Sequence, residues 1–288
     1  MAILEFKKDW FKVFLNNTTQ KKVIIGYTLM KLGQPSNSSI FSNLGKNFTV
    51  SIIGGGTGQA ELRILNGLQV IKNNKINIHY EDPLKGMHDS FIKNLKQYTT
   101  AGFNLRLASK PSMEEVESKK FCIRKSHLIL AIHSLYYVSD WQNGLSKSGN
   151  VLSKIKNSLA SGGVALIALN SKKSDKNLFE NQFTPLVHGK KITIPSGEKI
   201  INALKRLKVK FSHEIVPCIL FLDSLFKKNT FKPNPDGEKL LSFMIQKNWK
   251  KVDKKLRKKI GAYITKKARR LGNRRVFITK DCYIWIKK

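Results

Sequence analysis

A short β-branched run that ends in glycines and opens onto an amphipathic pattern constrains this chain most. It reads Val50-Ser-Ile-Ile-Gly-Gly-Gly-Thr-Gly-Gln-Ala-Glu-Leu62. After the glycines, Ala60, Ile64, Leu65, Leu68 and Ile71 recur at helical spacing. The order is therefore strand, glycine turn, helix. Glycine lets a backbone take positive φ and approach a ligand closely. The exposed N–H groups at a helix start favour a polar or anionic group. Such a turn predicts a nucleotide-like ligand at the carboxyl end of the first strand of an α/β sheet.

The dinucleotide fingerprint G-x-G-x-x-G is not met, because Gln59 stands where its last glycine or alanine would be. Gly54-x-Gly56-x-Gly58 reads instead as the G-x-G-x-G turn of S-adenosylmethionine (SAM) enzymes. Ile76-Asn-Ile-His-Tyr-Glu-Asp82 then reads as a second strand ending in acid, 24 positions after Gly58. A carboxylate there can accept hydrogen bonds from both hydroxyls of a ribose. An ordinary tight turn between strand and helix also explains the glycines alone, but it does not require the acid.

A length of 288 residues with 41% hydrophobic content suits one large α/β domain with a modest lid. The longest apolar runs, Leu128–Ile132 and Ile215–Leu222, are too short to span a bilayer. The start of the chain has neither the apolar core of a signal peptide nor the acid-poor, Arg-rich character of a transit peptide. Cys122, Cys218 and Cys282 form no C-x-x-C pair, and the histidines show no metal-ligand spacing. These features predict a cytoplasmic monomer, without disulfides or a metal.

The charge is far from balanced: 53 Lys and Arg against 19 acids, a net +34. Abundant Lys alongside Asn and Ile resembles the coding bias of an A/T-rich genome. That bias leaves the scarcity of Asp and Glu unexplained. Between Lys250 and Arg275 stand 13 basic residues and one acid, Asp253. Such a field attracts polyanions. An RNA- or ribonucleoprotein-binding role through Lys250–Arg275 is thus a second functional class. Aromatic interleaving for base stacking is thin there, with only Trp249 and Tyr263.

Along the chain, residues 6–31 read as helical within an N-terminal cap over 1–45. Strands are expected at Thr49–Gly54, Ile76–Tyr80, Phe103–Leu107, Ser126–Ser134, Val164–Leu169, Ile215–Leu222 and Val276–Ile286. Helices are expected at Gly86–Tyr98 and at Val151–Leu159, the latter ended by Gly162-Gly163. The run His127-Leu-Ile-Leu-Ala-Ile-His133 is continuously apolar, as buried parallel strands are. Lys172–Ser196 reads as polar and irregular, part of a lid over 172–210. Alternating strands and helices imply a doubly wound, mostly parallel α/β sheet of Rossmann-like type.

Taken together, these motifs resemble the class I SAM-dependent methyltransferases, and within them the histamine N-methyltransferase family. Four places carry the resemblance. Phe14-Leu-Asn-Asn-Thr-Thr19 is similar to that family's Phe-Leu-Asn-x-Ser-Thr segment. Ser51-Ile-Ile-Gly-Gly-Gly-Thr-Gly58 is similar to its Ser-Ile-Gly-Gly-Gly-Ala-Gly turn. Leu135-Tyr-Tyr-Val138 with Asp140 matches its Leu-Tyr-Tyr-Val-Lys-Asp motif, and Val276–Ile286 falls where its last strand falls.

The resemblance implies SAM as cofactor, approached by Gly54, Gly56, Gly58 and Gln59. Asp82 would hold the ribose, and Ser112 and Ile132 would lie on the adenine side. It implies acceptor contacts at Gln20, His133, Tyr136, Tyr137 and Thr279. The family has Glu where Gln20 stands, Gln where His133 stands and Asn where Thr279 stands. Losing the Glu removes a charge partner for a cationic amine, so the expected acceptor is a small amine or imidazole other than histamine. His133 reads either as a hydrogen-bonded strand-end residue or as a base for the acceptor. Tyr136 and Tyr137 read either as packing or as an aromatic pocket wall.

Overall fold

The computed structural model describes residues 7–34, 47–72, 75–82, 85–99, 105–107, 123–138 and 150–288. They form two compact units. One comprises residues Met1–Gln20, Asn170–Ser196 and Ile215–Asp281; the other comprises Lys21–Leu169, Gly197–Glu214 and Cys282–Lys288. Residues 1–45 and 172–210 thus each contribute to both units.

In chain order the helices are α1 (Lys8–Asn16), α2 (Gln20–Leu32), α3 (Gln59–Lys72), α4 (Lys85–Thr99), α5 (Val151–Ser158), α6 (Asp175–His188), α7 (Gly197–Arg206), α8 (Pro235–Ile245) and α9 (Lys254–Lys267). The strands are β1 (Asn47–Ile53), β2 (Lys75–Glu81), β3 (Leu105–Leu107), β4 (Ser126–Ile132), β5 (Leu159–Asn170), β6 (Phe211–Phe221), β7 (Phe226–Lys227), β8 (Thr230–Phe231), β9 (Arg269–Leu271) and β10 (Arg274–Lys287).

The larger unit carries the parallel part of the sheet. The strands of the sheet run β3-β2-β1-β4-β5-β10-β6. β1 pairs in parallel with β2, Ile53 opposite Glu81, and with β4, Ile52 opposite Leu130. β2–β3 and β4–β5 are parallel too. The continuous apolar run predicted for β4 is buried from Leu128 to Ile132. Strand order reverses between β1 and β4, and in such sheets ligands bind outside the carboxyl ends at that switch point. Gly54 follows β1 there, and His133 follows β4. One apolar cluster of this unit joins Ile53, Ile129 and Ala131 to α5, α7 and Ile284.

The smaller unit packs α1, α6, α8 and α9 around Phe14, Phe179, Phe183, Leu240, Met244, Ile260, Ile264 and Phe277. Its helices are capped from the sequence. Asn234 Oδ1 accepts from Gly237 N–H at 2.9 Å, and Asp253 Oδ1 from Leu256 N–H at 3.0 Å.

Three expectations need correction. The region 6–31 is two helices, broken where Thr19 N–H donates to Ile219 O and Ile219 N–H to Thr19 Oγ1. Gly162-Gly163 does not end a helix but lies inside β5. Gly162 has φ +68°, and the β4–β5 register slips between Ser126 and Leu128, as at a bulge. A side chain on Gly163 would meet the carbonyls of Ala160 and Ser126 at 3.0 Å. Finally, Lys172–Ser196 is not irregular, because α6 occupies its middle. Phe179, Phe183 and Val187, spaced by four, bury one stripe of an otherwise polar helix.

Candidate functional site

The glycine turn has the conformation that its composition predicts. Gly54, Gly56 and Gly58 all take positive φ, at +60°, +55° and +72°. Gly54 N–H donates to Glu81 O at 2.6 Å, and Gly58 N–H to Gly55 O at 2.9 Å. Asn94 Nδ2 donates to Thr57 O at 2.8 Å, and Tyr80 OH to Gly56 O at 2.5 Å. The turn is therefore held from β2 and α4.

Asp82, directly after β2, belongs to the same assembly and is buried. Its Oδ2 accepts from Gly56 N–H at 2.9 Å. The acid expected to face a ribose thus also fixes the turn. Gly56 is the open point of that turn: among the described residues a Cβ there would meet only Met87 Sδ, at 4.0 Å. At Gly54 and Gly58 the space is filled, by Ser134 Cβ at 2.5 Å and the Phe91 ring at 2.4 Å. The cradle is open in the middle and closed at its ends.

Other predicted residues of this unit gather around it. Ile132 ends β4 and is 8% exposed. His133, half-buried, turns the chain with φ +51°, a conformation that costs a non-glycine residue about 1–3 kcal/mol. Its N–H donates to Ala168 O at 2.9 Å, and its Nδ1 lies 3.3 Å from Tyr136 OH. The two rings are near-parallel, with centroids 6.2 Å apart. Gln59, exposed at the start of α3, accepts from Lys21 Nζ at 2.8 Å. The Tyr137 side chain and all of Ser112 lie outside the described residues.

Gln20 and Thr279 belong to the smaller unit. Gln20 is buried, and its Nε2 donates to Asn170 Oδ1 and to Asp281 Oδ1, both at 2.9 Å. Cys218 Sγ lies 3.7 Å from Asp281 Oδ2. Thr279 is fully buried, and among the described residues its Oγ1 has no hydrogen-bond partner. The sequence reading therefore needs amending at one point. Gln20, expected from the resemblance to stand where a carboxylate would be, has its amide bonded to one, Asp281. An acid among apolar neighbours on the last strand was the available signal.

A second acid escaped the sequence reading. Glu61 is 4% exposed. It stands three, four and seven residues before Ile64, Leu65 and Leu68, on the apolar stripe of α3. Its carboxyl packs beside the turn, where a Cβ on Gly55 would come within 3.7 Å of Glu61 Cδ. Burial raises its pKa to about 7, against the opposing fields of Lys21 and His133 and the backbone N–H groups of residues 60 and 61. Burial in turn lowers Lys21 to about 8.

A folded-state value above the unfolded one means that protonated Glu61 stabilises the fold. That contribution is complete at pH values below the ordinary carboxylate range and is lost as pH rises through about 7. Glu61→Gln is expected to gain on the wild type between pH 5 and 8, by roughly 2–3 kcal/mol. Denaturant melts of both proteins at the two pH values measure it; a constant difference would contradict the burial account.

The Lys250–Arg275 segment is α9 with the β9–β10 hairpin. Most of its lysines are exposed, but its hairpin arginines have local partners. Arg274 donates to Asp223 at 2.6 Å and lies 3.5 Å over the Phe221 ring. Arg275 lies 4.4 Å over Phe226, and Arg270 reaches Asn229 at 3.4 Å. Among the described residues no helix is long and apolar enough to cross a membrane.

Comparison with known proteins reaches the fold. No family model matches the chain. No curated protein matches it either. Solved structures do. The YcgJ protein of Bacillus subtilis superposes with a TM-score of 0.51 at 14% identity, over 91% of this chain and 98% of that one. A loganic acid methyltransferase solved with SAH gives 0.52 at 12% identity, over 93% and 91%. The fold is the Rossmann-like α/β fold of class I methyltransferases.

Proposed function

We propose that the chain is a SAM-dependent methyltransferase acting on a small-molecule amine or imidazole-type acceptor other than histamine. The observation that carries the reading is the glycine turn at the switch point. It is open at Gly56, closed at both ends, and pinned by a buried carboxylate at the end of β2. That donor set fits a nucleoside with an amino-acid tail. Backbone N–H groups serve polar atoms at close range, and Asp82 serves ribose hydroxyls. The loganic acid methyltransferase with SAH shares the fold and lends the reading its chemistry.

Bound SAM supplies an electrophilic methyl group that passes directly to an acceptor lone pair, leaving S-adenosylhomocysteine. The protein's part is alignment and exclusion of water, so a strong general base is optional. Gly54–Gly58 and Asp82 set the donor, and His133 with Tyr136 provides an imidazole–phenol pair for the acceptor. His133 can take the proton that the acceptor nitrogen sheds. The histamine N-methyltransferase resemblance adds Tyr137 to these acceptor contacts. RNA binding through Lys250–Arg275 rests on charge alone, and the hairpin arginines already have structural work, so the enzyme reading stands first.

The test is methyl transfer from labelled SAM across a panel of amines, imidazoles and phenols, with histamine included. Turnover of an amine or imidazole is expected, with histamine at least about tenfold poorer in kcat/KM because His133 and Thr279 stand where the family has Gln and Asn, a loss of the size a missing polar contact gives. Efficient histamine turnover would overturn the acceptor assignment. SAM binding without turnover of any acceptor would overturn the small-molecule reading.

A further inference from the structure

Beside the glycine turn lies a buried carboxylate that nothing above uses. Glu61 is nine-tenths buried and beside Gly55. Among the described residues no Lys, Arg or His nitrogen lies within ion-pair distance of it. Lys21, whose field reaches it, donates to Gln59 Oε1 at 2.8 Å. β1 contributes no acid of its own, ending in Ile52 and Ile53. A carboxylate kept from water without a cation is costly unless a ligand brings one.

We propose that Glu61 is the counter-ion of the α-ammonium at the methionine end of the donor. The inference rests on the SAM reading and deepens it. Asp82 and Glu61 then divide the ligand. The β2 carboxylate takes the neutral ribose, and the α3 carboxylate takes the charge, with the turn between them.

The physical consequence is proton linkage. Without ligand, Glu61 is only partly ionised near neutral pH, because burial raises its pKa to about 7. An ammonium in contact favours the charged form. Donor binding near pH 7 therefore expels a proton. The other groups whose fields meet here are Lys21 on α2, Arg63 on α3, His133 after β4, and Tyr80 and Asp82 at the end of β2. Of these, His133 is the imidazole whose field reaches Glu61, so it needs a control.

The experiment is calorimetric titration of the full chain with SAM at pH 7 in buffers of different ionisation enthalpy. The same titrations use Glu61→Gln, His133→Asn, and 5′-methylthioadenosine, which lacks the amino-acid tail. The wild type is expected to release about half a proton per SAM bound. Glu61→Gln is expected to release none and to bind SAM about tenfold or more weakly. Both proteins should bind 5′-methylthioadenosine equally and without release, which also shows that the variant is folded. Unchanged affinity and release in Glu61→Gln would overturn the assignment while leaving the donor reading intact. So would release that survives in Glu61→Gln and disappears in His133→Asn. No binding of SAM by the wild type would overturn both.

Discussion

Asp82→Ala is expected to weaken SAM binding by about two orders of magnitude. The carboxylate has two tasks. It accepts Gly56 N–H at 2.9 Å and so holds the turn in shape. It would also accept the ribose hydroxyls. A hydrogen bond to a charged group is worth roughly 1.5–3 kcal/mol. Losing two of them costs about 3–4 kcal/mol, a factor of about a hundred or more in Kd. Asp82→Asn keeps an oxygen for Gly56 and should lose only about tenfold. Calorimetry on the three proteins measures this, with thermal melts to confirm folding. Equal affinities for wild type and Asp82→Ala would remove the acid from the donor site.

The second large effect separates fold from binding within one turn. In Gly58→Ala the new methyl would sit 2.4 Å from the Phe91 ring, at a φ of +72°. Phe91 cannot swing away freely, because it stacks on Tyr80 with centroids 3.9 Å apart. Tyr80 in turn donates to Gly56 O. Left-handed strain of about 1–2 kcal/mol adds to overpacking of about 1–3 kcal/mol. Gly58→Ala is therefore expected to lose about 2–5 kcal/mol of stability in denaturant melts. Among the described residues the methyl of Gly56→Ala meets only Met87 Sδ at 4.0 Å, so strain alone remains, about 1–2 kcal/mol. Its methyl would instead occupy the open point of the cradle. Donor affinity should fall roughly tenfold to a hundredfold in a protein that still melts cooperatively. Equal loss of stability in both variants would show that the turn is structural throughout.

The parts of this account that were legible in the sequence are those encoded locally. Three glycines at alternate positions needed positive φ, and all three have it. The acid ending the second strand could be placed because β1 and β2 are parallel neighbours, with Ile53 opposite Glu81. The apolar run before His133 reads as a buried parallel strand, and Leu128–Ile132 of β4 are buried. What stayed hidden depends on distant partners. Gly162-Gly163 looks like a helix stop until Ser126 comes 3.0 Å from where a side chain would go. Gln20 loses its meaning as a lost charge once Asp281, 261 positions away, is seen to accept from its amide. The α6 stripe of Phe179, Phe183 and Val187 was outnumbered by polar residues in its own segment. Glu61 was within reach, since an acid in phase with Ile64, Leu65 and Leu68 is a buried acid. Ser112 and the Tyr137 side chain lie outside the described residues.

The central claim is that the turn from Gly54 to Gly58 is a donor cradle. Calorimetric titration of SAM into the wild type and into Gly56→Ala tests it most directly, each protein checked by its melting curve. The account predicts saturable binding by the wild type at sub-millimolar SAM, and binding weakened at least about tenfold in a folded Gly56→Ala. Absence of saturable heat in the wild type, or equal affinity in the two proteins, would contradict it.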